Sequence, residues 1–201
     1  QVDYVQYDVT SGSSVRSSEV LQASAGAVTR IVVNGGTLYS DAMVTLVKGS
    51  FATVYLLGDT IKGGLGDTAV IATGGIMKAS MGRTSSFTAS GNVVLDSGTN
   101  NNHTGGTFLN GGHFDVCHSS FFGFGGITIT GVTTLDASVE NFEGKDNKFS
   151  VIRHVIDNKG SLTMIGNYDA SELPLVVVDD SYTDASGTVG ISVGASVVPP
   201  A

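Results

Sequence analysis

Strand-length apolar runs recur from one end of the chain to the other, and a glycine or Asn/Asp turn follows nearly every one. The runs cover 28–33, 53–57, 68–72, 92–95, 106–109, 126–130, 150–156, 161–165 and 175–178. The residues after them tolerate left-handed or tight backbone, as in Asn34-Gly35-Gly36, Gly58-Asp59, Gly74-Gly75, Asn110-Gly111-Gly112 and Asn158-Lys159-Gly160. One glycine per unit (Gly35, Gly58, Gly74, Gly91, Gly111 and Gly131) gives gaps of 23, 16, 17, 20 and 20 residues. A period near 20, made of short strands and glycine turns, fits one coil of a stacked repeat.

Composition closes off the helical alternatives. The chain of 201 residues holds 28 Gly, 26 Val and 20 Thr but only four Glu and six Lys, so strong helix formers are scarce and β-branched residues supply the apolar content. No window of a dozen residues keeps an i, i+3, i+4, i+7 apolar stripe with a cap at each end. The chain therefore reads as all-β, with helix in well under a fifth of its residues.

Hairpin sandwiches place turn signals every 8–12 residues or so and alternate inside with outside. Here Ile31-Val32-Val33, Val54-Tyr55-Leu56-Leu57 and Val176-Val177-Val178 are apolar on consecutive positions. The reading is a parallel β-solenoid of roughly 20-residue coils, eight or nine of them between about Ser24 and Val178. An antiparallel β-sandwich or jelly roll is the alternative, because the gaps are unequal. Residues 1–201 read as one solenoid domain, with 1–23 and 179–201 as terminal capping or assembly strands.

A net charge of −8, with ten Lys and Arg scattered singly, argues against nucleic acid and against an anionic membrane surface. No window approaches the roughly 18 uninterrupted apolar residues of a membrane-spanning helix, so no membrane insertion is expected. Cys117 is the single cysteine, which excludes an internal disulfide. The start at Gln1 reads as a processed product or an excised fragment.

Residues 25–46 read AGAVTRIVVNGGTLYSDAMVTL, an apolar strand, an Asn-Gly-Gly turn and a short Thr/Leu/Tyr strand. This resembles the repeats of bacterial autotransporter passengers of the AIDA-like adhesin type, with weaker echoes at 72–77 and 108–114. The resemblance spans roughly residues 20–135 and implies a right-handed parallel β-helix displayed outside a cell for adhesion or self-association. It brings over no functional residue, since the matching positions are turns and core. The chain departs from the family in its degenerate repeats, and nothing in it resembles the C-terminal membrane barrel.

Candidate chemistry is sparse. His103, His113, Asp115, Cys117 and His118 form the densest ligand-type cluster; on a strand His113, Asp115 and Cys117 would share one face, with Phe114 and Val116 toward the core. Zinc-type pair spacings are missing, so no metal site and no cofactor are expected. Gly63-Gly64-Leu65-Gly66-Asp67 is one off a calcium nonapeptide and occurs once, and Asp179, Asp180 and Asp184 read as a solvated acidic loop. Carboxylate pairs such as Asp136 with Glu140, or Asp157 with Asp179 and Asp180, are permitted on adjacent coils but indicate no glycosidase. No G-x-S-x-G elbow or P-loop is present, and no enzyme is expected. Phe121, Phe122 and Phe124 form the most unusual run, either an aromatic stack in the core or a candidate interaction patch.

The expectation is a non-catalytic extracellular or cell-surface β-solenoid of bacterial or viral origin, a surface adhesin or a self-assembling fibre subunit. Its expected partners are copies of itself, joined through the terminal strands, and surface glycans or a host-surface receptor. The alternative is a phage tail-spike segment that binds or cleaves surface polysaccharide.

Overall fold

The computed structural model describes residues 5–17, 28–40, 52–96, 103–117, 119–123, 125–137, 155–166, 175–178, 182–184 and 191–193. Among the described residues thirteen strands form one sheet, and every strand pairing is parallel. They are β1 Val5–Thr10, β2 Ser14–Arg16, β3 Val28–Ser40, β4 Ala52–Gly64, β5 Thr68–Ser80, β6 Ser86–Leu95, β7 Thr107–Val116, β8 Ile127–Ala137, β9 Val155–Asn158, β10 Ser161–Gly166, β11 Leu175–Val178, β12 Tyr182–Asp184 and β13 Ile191–Val193. Almost no helix is present among the described residues; a 3-10 turn, Ser119–Phe122, follows β7. A chain whose successive strands pair only in parallel is a β-solenoid, and the sandwich alternative falls with its hairpins.

Five continuous steps connect β3 to β8, with Ile31 opposite Val54, Val54 opposite Val70, Val70 opposite Phe87, Phe87 opposite Thr107 and Thr107 opposite Ile127. The ladder goes on through β9 to β13 as short segments, so the eight or nine expected coils resolve into five continuous ones flanked by shorter rungs. The next step is longer: Ile127 faces Ile156, 29 positions on. An insertion of that kind leaves the stack intact when it bulges from one side of a coil.

The turn glycines lie elsewhere than the sequence placed them. From Gly35 to Gly131 they do not separate strands but bend one long strand into two limbs, whereas Asn158-Lys159-Gly160 does part β9 from β10. Thus Asn34 faces Gly58, Gly74 faces Asn92, and Gly91 faces Gly112, so the bends stack into a column along the axis. Backbones approach so closely there that a Cβ on Gly112 would overlap the Gly91 carbonyl oxygen, and Gly112 holds a φ of 131°. Only glycine meets both conditions. In β4 the left-handed position at the bend is held by Asp59, at φ 67°.

The core is a set of columns running through the coils. On the first limb one column is Val33, Leu56, Ala72, Ala89, Leu109 and Ile129, each buried and each in register with the next. On the second limb Leu38, Ile61, Met77, Leu95 and Val116 do the same. Burying each Val, Leu, Ile or Met side chain of these columns contributes about 1.5–3 kcal/mol relative to leaving it in water. Where the column narrows to Ala72 and Ala89, aromatic rings fill the neighbouring volume. Phe87 meets Phe121 edge to face at 4.9 Å, and Phe121 meets Phe122 at 5.8 Å. Phe121 and Phe122 are both fully buried, so these two rings are core and not an exposed patch; Phe124 lies outside the described residues.

Candidate functional site

Strands β7 and β8 bring together the one group of three ligand-type side chains found among the described residues: His113, Asp115 and Asp136. Their placement follows from pleat and bulge. Thr107 and Leu109 of β7 face inward, and strict alternation would send residues 113 and 115 inward as well. Between Leu109 and Gly112 the strand carries one residue more than β6. This bulge reverses the phase, so Phe114 and Val116 enter the core and His113 and Asp115 turn outward. In β8 an additional residue opposite Gly111 moves the register by one without changing the phase, so Leu135 stays buried with Ile127 and Ile129, and Asp136 faces out.

The register then sets Asp115 directly opposite Asp136. His113 Nε2 lies 3.2 Å from Asp115 Oδ1 and 3.2 Å from Asp136 Oδ2, and all three ligand atoms fall within 4.8 Å of one another. Exposure is graded across the group, at 44% for the His113 side chain, 32% for Asp115 and 13% for Asp136. The same outward column continues with Val94 before Asp115 and Ile165 after Asp136, so two carboxylates are stacked inside an otherwise apolar row. Chemically the trio offers one imidazole nitrogen and two carboxylates, a set that takes a cation. With His113 protonated it forms one ion pair within β7 and one, to Asp136, that ties adjacent coils.

The other members of the cluster singled out in the sequence lie apart. His103 is fully buried, with Nε2 3.2 Å from Thr107 Oγ1 and its ring against Phe121 at 6.4 Å. Cys117 does not share the outward face with His113 and Asp115. Strand β7 ends at Val116, and Cys117 turns inward with its amide donating to the Leu95 carbonyl at 2.9 Å. Burial pushes its thiol up to about 12, the Asp96 and Asp115 carboxylates push the same way, and Lys78 opposes them. His118 and Glu140 lie outside the described residues, as do Asp179 and Asp180.

The glycine-rich 63–67 stretch turns out to be a corner. Asp67 Oδ1 accepts the Thr84 amide at 3.1 Å, and the Gly66 carbonyl accepts the Ser85 hydroxyl at 3.1 Å. Thr128 faces Phe108, and the Thr130 hydroxyl donates to Asn110 Oδ1 at 2.8 Å. Asp157 sits 3.3 Å from Lys159 Nζ.

Asp136 is the residue that sequence reasoning did not join to His113 and Asp115. Its signal was the coil period: 21 positions separate the two aspartates, one coil, whereas the glycine spacing of 20 sets Asp115 against the core residue Leu135. The bulged residue in β8 accounts for the difference.

A second outward feature lies on the first limb, where Val32, Tyr55, Ile71, Thr88, Phe108 and Thr128 stand in register one above another. The Arg30 guanidinium covers Tyr55 at 4.4 Å, and Phe108 keeps 37% of its surface exposed. No protein-family model, no curated protein and no solved structure matches the chain.

Proposed function

We propose that the chain is a non-catalytic structural or adhesive β-solenoid of the cell surface or extracellular space, a surface adhesin or the subunit of a fibre. One observation carries the reading. The coils form a single parallel ladder in which, among the described residues, β1, β2, β12 and β13 are each paired on one side only. A parallel edge of this kind is a template for another strand. The Asn-Gly-Gly motif at Asn34, similar to AIDA-like adhesin repeats, and the sparsely charged column from Val32 to Thr128 support the same reading.

Light scattering of the full chain beside a form lacking residues 187–201, and with them β13, tests it. The full chain should show a mass that rises with concentration, and the truncated form should be smaller and still folded. A full chain that stays monomeric at micromolar concentration contradicts self-assembly. A trimer of fixed size that binds polysaccharide would instead favour the tail-spike reading.

A further inference from the structure

We infer that His113, Asp115 and Asp136 form a binding site for a first-row divalent metal ion, of which zinc is the best fit. Like charges directly opposite on neighbouring strands are destabilising, and Asp115 faces Asp136 with no residue between them in the ladder. A neutral imidazole has one N–H and cannot donate fully to both carboxylates. A divalent cation among the three groups removes the repulsion and satisfies one oxygen of each aspartate together with the ring nitrogen.

The distances suit an ion. Zinc binds histidine nitrogen and carboxylate oxygen at about 2.0–2.2 Å, which places two donors of a tetrahedral ion about 3.3–3.5 Å apart. The two nitrogen–oxygen separations here are 3.2 Å each. The 4.8 Å limit on the group leaves the two carboxylates a short rotation from a common centre. The donor set is also selective. One imidazole with two carboxylates suits zinc and its first-row neighbours, whereas calcium and magnesium favour all-oxygen shells. Three protein donors are one short of zinc's usual four, so the ion completes its shell from solvent on the side where His113 is exposed.

The donors come from two successive coils, so the ion would cross-link β7 to β8. Binding to the folded chain alone raises its melting temperature by mass action. Zinc at about a hundred times its dissociation constant should raise the midpoint by roughly 5–10 °C.

The test is calorimetric titration of the metal-free full chain with zinc chloride, with thermal melts run on the same samples. The expected result is one zinc per chain, weakened at least tenfold in each of His113→Gln, Asp115→Asn and Asp136→Asn. Circular dichroism of the metal-free variants separates loss of the site from loss of the fold. Zinc that raises the melting midpoint of the parent should leave that of Asp136→Asn unchanged. Absence of stoichiometric binding, or binding that survives all three substitutions, overturns the proposal.

Discussion

At the scale of single residues, Cys117 carries a measurable consequence of its position. Its thiol lies in the core beyond the end of β7, and burial with the carboxylates of Asp96 and Asp115 raises it from 9.0 to about 12. A group whose proton is held more tightly in the folded state stabilises that state below the unfolded value and loses the contribution as pH rises through the folded one. The account predicts that the folded chain resists iodoacetamide at pH 8 and becomes reactive on unfolding. It also predicts that stability falls between pH 9 and 12 more steeply in the parent than in Cys117→Ala, followed by urea melts at each pH. Rapid alkylation of the folded chain would place the thiol outside the core. The neighbouring Phe121 and Phe122 show why residue roles were only partly legible. Three phenylalanines in four positions announce a cluster, but which side it faces depends on a 3-10 turn that carries no periodic signal of its own.

At the scale of elements, the bends decide what each strand presents. Coil length was readable from the glycines because each coil needs one bend and only small residues fit where backbones stack. Their role was misread because a glycine between two apolar runs has the same appearance in a turn and in a bent strand. The bulges beside Gly91, Gly111 and Gly131 each move the register by one residue, and in β7 the pleat phase reverses as well, so alternation counted from Thr107 and Leu109 fails on the second limb of that strand. This is why Asp136 remained unconnected to His113. Gly112→Ala should destabilise the chain by more than about 1 kcal/mol in denaturant titration, since its Cβ meets the Gly91 carbonyl at a φ reserved for glycine. Val132→Thr, at a side chain 77% exposed on the adjacent bend, should stay within about 0.5 kcal/mol. Equal effects at the two positions would contradict the stacked-bend geometry.

At the scale of the whole molecule, stability is expected to behave as a sum over coils and their interfaces, because each coil touches only its neighbours. The columns from β3 to β8 supply most of the buried apolar side chains among the described residues, and the short strands on either side extend the ladder. Among the described residues β1, β2, β12 and β13 are each paired on one side only, and the assembly along the axis proposed above would use those edges. Electron microscopy of the full-length chain at high concentration, with fibre diffraction of any rods, is the most direct measurement. The account predicts rods that lengthen along the coil axis and a meridional reflection near 4.8 Å, from strands lying across that axis. Compact particles of single-chain size at every concentration would contradict it.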